Sequence, residues 1–203
     1  MATIAAVNSV GESIVAMLRA RRDLLAAEGR LAPVPAALEI AHASLTRLAT
    51  TALPTAGLTL SCTRIAMADQ ARPRCSPAAP TLSVELHYLL VAWSPAPLEE
   101  QSILAWAMLE LAANPVLDRS VLVGGGIWDR DETVQIVPET ATDDALFRLW
   151  SALQVKYRLC TTFRARVIRI GYTGTPDWPV VVATRFGFAD ADPLAEPAGA
   201  GGG

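Results

Sequence analysis

The chain has 203 residues, enough for one domain or for one domain with an appendage. It is 52% hydrophobic and only 18% charged, with a net charge of −3 and a mean hydropathy of +0.32. That balance excludes disorder throughout and argues against a general nucleic-acid binder, which is normally basic. The apolar excess needs a destination. No membrane span absorbs it, because the longest apolar run, residues 88–93, is far shorter than the roughly 18 residues a span needs. The first 17 residues lack a basic leader, so no secretory signal is read and a cytoplasmic location is expected. Cys62, Cys75 and Cys160 are odd in number and widely spaced, unlike a disulfide framework.

A first helix is expected from Ser9, where Val10, Ile14, Met17, Leu18, Leu24 and Leu25 recur at helical spacing, with Gly29 as its stop. Arg19, Arg21 and Arg22 fall late in it, where positive charge suits the helix dipole. A second helix is expected over residues 36–50, with Leu38, Ala41, Leu45 and Leu48 as its stripe. Beyond Gly57 the period becomes two: Leu58, Leu60 and Cys62 alternate with Thr59, Ser61 and Thr63. A polar, Pro-containing stretch over residues 69–80 reads as a loop.

The strongest strand signal covers residues 82–93. Leu82, Val84, Leu86 and Tyr88 oppose Ser83, Glu85 and His87, and then both faces turn apolar. Such a strand starts half-covered and ends covered on both sides. A third helix follows over residues 98–113, with Glu99 and Glu100 in its first turn and Asn114-Pro115 as its end. Residues 133–137 read as a short strand. Thr142 caps a fourth helix carrying Leu146, Leu149, Trp150 and Leu153. The strand over residues 161–172 switches parity, from Phe163, Ala165 and Val167 to Ile168 and Ile170, which a bulge or a strand passing from one covering layer to another would explain. Residues 180–188 read as a last strand. The Gly/Ala-rich end is expected to be disordered.

Strands alternating with helices of this length predict an α+β (mixed α/β) fold: a central mixed sheet flanked by helices, with a helical N-terminal portion. The expected division is a helical part over residues 1–54, an α/β domain over 55–188 and a tail over 189–203.

Convergent catalytic groups are sparse. His42 and His87 read as structural histidines, away from any metal-like spacing. Cys160 with His87 is the one thiol–imidazole pairing on offer, and a small cysteine-dependent hydrolase is the enzymatic alternative it defines. Gly124-Gly125-Gly126 is followed by Ile127-Trp128-Asp129 rather than by the Gly-Lys-Ser/Thr of a phosphate loop. Asp129, Asp131 and Glu132 surround Arg130 and read as a solvated turn. Arg164 and Arg166 share one strand face, solvated or anchoring a neighbouring subunit. Of the five tryptophans, Trp93 and Trp150 fit a core, whereas Trp106, Trp128 and Trp178 are candidates for a surface buried against another chain. No catalytic residue, metal or cofactor is expected.

The run Leu82-Ser83-Val84-Glu85-Leu86-His87-Tyr88-Leu89-Leu90-Val91-Ala92-Trp93, the helix to Pro115, then Leu149-Trp150-Ser151-Ala152-Leu153 and the strand from Thr161 form a familiar order and spacing. It resembles the cap, or tail-terminator, family of extracellular contractile injection systems, the phage-tail-like particles of the antifeeding-prophage and virulence-cassette type. Where that family often has an acid–histidine pair, this chain has Glu100-Gln101. The resemblance implies a tail-terminator-like fold and a structural role. The protein would form a homo-oligomeric ring, six-fold by analogy, on the end of an inner tube. It would stop tube growth and anchor the terminal sheath layer, with tube and sheath subunits as partners and without membrane or specific nucleic acid. Strand addition at an open sheet edge would serve sheath attachment, and Arg164, Arg166, Trp128 and Trp178 are the candidate subunit or tube contacts. A soluble assembly or cargo adaptor of the same particle is the remaining alternative.

Overall fold

A computed structural model describes residues 2–50, 56–68, 81–129 and 131–171. Their elements run α1 (Ala6–Ala27), β1 (Glu39–His42), α2 (Leu45–Thr50), β2 (Gly57–Met67), β3 (Thr81–Trp93), α3 (Pro97–Ala113), β4 (Val116–Leu117), β5 (Val134–Glu139), α4 (Asp143–Leu153) and β6 (Cys160–Gly171). The strands form one mixed sheet in the order β1-β2-β3-β6-β5-β4. The β1–β2 pair is parallel and every other pair antiparallel.

β3 is the spine, and its side chains explain both layers. Val84, Leu86, Tyr88, Leu90 and Ala92 point into the larger core, which α1 and α3 cover with Val10, Ile14, Leu18, Ile103 and Ala107. Leu89, Val91 and Trp93 point to the other face, where Leu48 of α2 and Trp150 of α4 form a second, smaller core. The strand is therefore covered on both sides over its second half, as its sequence implies.

The helix ends follow local chemistry. At the end of α1 the Gly29 N–H donates to Ala26 O and the Arg30 N–H to Leu25 O. Gly29 takes φ +67°, so this is a Schellman stop. α3 starts with Pro97 in its first turn. The Thr142 hydroxyl accepts from the Ala145 N–H to cap α4.

The second predicted helix is the main correction. Residues 39–42 form β1, parallel to β2, and only Leu45–Thr50 is helical. Leu38 and Ile40 are fully buried while Glu39 is exposed, which is strand alternation. Two arginines of α1 add to this. Arg19 donates to Ile40 O and Arg22 to Leu38 O, so these side chains hold β1 rather than serving the helix dipole.

Both irregularities in the central strands are bulges. In β2, Cys62 pairs with Tyr88 and Arg64 with His87, so Thr63 is the extra residue. In β6, Ile168 pairs with Val84 and Ala165 with Leu86, so Glu85 alone opposes residues 166 and 167. This is the parity switch read from the sequence. The expected strand over residues 180–188, the tail over 189–203, the loop over 69–80, Cys75 and Trp178 lie outside the described residues.

Candidate functional site

On the face of the sheet carrying α2 and α4, the cover stops partway along β3. Beyond Leu89 the same face presents His87 and Glu85, together with Arg64 of β2, Glu139 of β5 and Arg164 and Arg166 of β6. These side chains bind one another across four strands. Glu85 accepts from Arg164 Nη1 at 3.2 Å on one carboxylate oxygen and from Arg166 Nε at 3.0 Å on the other. The β6 bulge makes this possible by setting two residues opposite Glu85. Glu139 sits 3.7 Å from Arg164 Nε and 2.8 Å from His87 Nδ1. His87 Nε2 lies 3.3 Å from Arg64 Nη2. A guanidinium only donates, so Nε2 accepts and the Nδ1–H points at Glu139. Glu85 and His87 are almost buried, whereas Arg164 and Arg166 are about a third exposed, at 31% and 33% of the side chain.

The arginine pair chosen from the sequence is thus engaged within its own subunit, with part of each guanidinium left to solvent. Trp128 lies elsewhere, buried under α1. Its indole N–H donates to Val123 O at 2.9 Å and to Ser9 Oγ at 3.1 Å, and Val123 N–H donates to Ser13 Oγ at 2.8 Å. Trp128 therefore ties the glycine-containing loop to α1. That loop is built for packing. Gly124 takes φ +89°, and a Cβ there would fall 2.5 Å from the Ile127 side chain. Arg119 closes it by donating to Trp128 O and Gly125 O. Trp106 is also buried, on the core side of α3.

Cys160 and His87 share a face of the sheet, but Cys160 pairs with Val91, four positions along β3 from His87. At about 3.3 Å per residue that is roughly 13 Å, beyond a nucleophile–base contact. Burial pushes the Cys160 thiol up, and the neighbouring Trp150 and Tyr157 side chains only partly oppose it. Burial raises Cys62 as well. Asp129, Asp131 and Glu132 line a shallow basin with Arg166 and Arg169, and no group of three metal-ligating side chains suited to an ion occurs among the described residues. No described helix is long and apolar enough to cross a membrane.

Some backbone groups along the described sheet edges already have partners. Glu39 and Ala43 direct their N–H groups to β2, so Leu38 and Ile40 face outward, and their carbonyls are those taken by Arg22 and Arg19. On the other side Ile136 N–H donates to Pro115 O. By the same alternation Pro138, which has no N–H, faces outward beyond the short β4. Arg64 and Glu139 were not singled out from sequence. Glu85 and His87 were visible as a polar strand face, but register, not composition, selects their partners.

Fold and site together define an α/β scaffold, one sheet with helices on both faces, whose charged side chains bind one another across strands. The chain belongs to the family described as the Pvc16 N-terminal domain, which matches it over residues 9–183. Its fold is similar to that of a PVC sheath/tube terminator of an extracellular contractile injection system, solved by cryo-EM in the extended state. That likeness has a TM-score of 0.54 at 18% identity and covers 94% of this chain and 65% of that one. A second similarity, to the tube-terminating cap of the anti-feeding prophage, has a TM-score of 0.46 at 17% identity, over 82% of this chain and 60% of that one. The chain spans less than two thirds of the length of either solved structure. No curated protein matches it.

Proposed function

We propose that this protein is a structural cap, or tail terminator, of a contractile injection particle. It forms a ring on the end of the inner tube, stops tube growth and anchors the last sheath layer. Membership of the Pvc16 N-terminal domain family over residues 9–183 carries the reading, and the likeness to a sheath/tube terminator over 94% of the chain supports the fold it requires. A tube is an open head-to-tail assembly, which grows until something binds its end without presenting a new one. A cap therefore needs contact faces rather than a reactive centre, in keeping with Cys160 and His87 standing apart. The ring is six-fold by analogy, its partners are tube and sheath subunits, and it assembles in the cytoplasm of the producing cell.

The test is electron microscopy and mass spectrometry of particles made with and without this protein. Particles with it should carry a terminal ring and tubes of uniform length, and without it tubes should overgrow. Tubes of equal length in both preparations would refute the reading. A protein missing from purified particles yet needed to make them would be an adaptor instead.

A further inference from the structure

Where β2 stops and β3 starts, apolar side chains stand open on the larger-core face of the sheet. Ile65 pairs with Leu86 and Met67 with Val84. Ile168 pairs with Val84 and Ile170 with Leu82. Directly paired residues share a face, so Ile65, Met67, Leu82 and Ile170 continue the apolar row of Val84 and Leu86 across three strands. Ile65 is 55% exposed, Met67 73% and Leu82 39%. Ile4, just ahead of α1, is 59% exposed. It lines an open groove of about 660 Å³ with Val7, Leu45 and Ile65. Contiguous apolar surface of this kind marks a contact.

The described residues end beside this face. β6 stops at Gly171, one residue past Ile170, and the Gly171 N–H donates to Ala2 O, two positions before Ile4. In the sequence that follows, Gly174 and Pro176 read as a turn. Beyond them come Trp178, Val180, Val181, Val182, Phe186 and Phe188. Residues 69–80, which join β2 to β3 at the same end of the sheet and also lie outside the described residues, hold no large apolar side chain. The family match runs on to residue 183, so the stretch from Trp178 to Ala183 belongs to the family's module.

We propose that residues 178–188 of the same chain fold back over this face and set their apolar side chains on Ile4, Ile65, Met67 and Leu82. The reach suffices. Seven residues from Gly171 to Trp178 span up to about 23 Å when extended, whereas the two strand spacings from β6 to β2 are about 10 Å. The short connection holds this segment at a high local concentration, which a separate chain must match from solution. Trp178 then packs within its own subunit, as Trp128 does, rather than against a tube or a neighbour.

The experiment is peroxide oxidation of the full chain, read by mass spectrometry at each methionine, with photo-cross-linking from position 67. Surrounded only by the described residues, Met67 would oxidise near the rate of a methionine in an unstructured peptide. Covered by residues 178–188, it should oxidise at least about fivefold more slowly, at every protein concentration. In V181D/F186D it should return to the peptide rate while the buried Met17 stays slow. Met67 replaced by p-benzoylphenylalanine should cross-link to residues 178–188 within one chain. A smaller slowing in the wild type overturns the proposal, as does protection that survives V181D/F186D. Protection that fades on dilution, with cross-links between chains, assigns the face to a second copy and overturns it too. Cross-links to residues 69–80 or to any other segment, or none, have the same force. If V181D/F186D also exposes Met17, that variant has unfolded, and the cross-link in the otherwise unaltered chain decides.

Discussion

Replacing Glu85 with Ala tests whether the charged network holds the sheet together. Glu85 is the hub, 11% exposed at its side chain, with one guanidinium on each oxygen at 3.2 and 3.0 Å. Hydrogen bonds to charged groups contribute about 1.5–3 kcal/mol each when well sheltered. Here the arginines keep about a third of their surface in water and rehydrate when Glu85 is lost, so each bond counts for roughly 1 kcal/mol. Adding the lost burial of the side-chain methylenes gives about 2–3 kcal/mol for E85A. At about 2–4 °C per kcal/mol for a chain of this size, the unfolding midpoint falls by about 5–10 °C. Calorimetry at neutral pH reads it, and the cycle with R166A should show a coupling near 1 kcal/mol. The charge reversal R164E/R166E should cost more than E85A, because it sets like charges around Glu85 and Glu139. A midpoint that moves less than about 2 °C for E85A, or a cycle without coupling, would show that the contacts are surface pairs of no energetic weight.

Gly11 lies against β1, and a Cβ there would fall 2.5 Å from His42 Cε1 and Nε2. G11A gains up to about 1 kcal/mol of helix propensity but must displace the ring, at about 1–3 kcal/mol. The net effect should be a loss near 1 kcal/mol in wild type and a gain in the H42A background, and denaturant titration that shows the same sign in both would refute the clash. The raised thiol of Cys160 predicts slow alkylation near neutral pH, at least about tenfold below a free cysteine, climbing only above the ordinary thiol range. Mass spectrometry of a chain with Cys62 and Cys75 replaced by Ser measures it. Fast labelling at neutral pH would instead reveal an activated thiol and reopen the hydrolase reading.

β3 could be read residue by residue because strand periodicity is two and each change of cover changes the pattern. The bulge in β6 was legible for the same reason: an extra residue moves every later side chain to the other face, and Ile168 and Ile170 record it. β1 was not legible. Leu38, Ala41, Leu45 and Leu48 fit a helix, Leu38 and Ile40 fit a strand, and four residues are too few to decide. The decision comes from outside the segment, from the β2 backbone and from Arg19 and Arg22 on α1. Similarly, the sequence put Arg164 and Arg166 on one face, but their attachment to Glu85 depends on register. Trp128 looked like a surface residue because it sits near glycines. Two serines of α1, more than a hundred positions away, give its indole loop an interior partner.

The partly occupied edges bear on how a chain of this kind ends an assembly. A sheet offering free N–H and C=O groups at its margin invites another strand, and the added strand offers the same invitation again. Growth by that route has no built-in stop. Here guanidiniums hold two outward carbonyls beside β1 and Pro138 of β5 offers no N–H, so strand addition at β1 would first have to displace Arg19 and Arg22. Contacts through helix faces behave differently. Unlike contact faces on the two sides of a subunit are used up once each neighbour is seated, and a closed ring leaves neither exposed. Under the proposed cap reading, the apolar excess of the sequence thus has two uses: it fills two cores on the faces of one sheet, and its remainder forms contacts that end with ring closure.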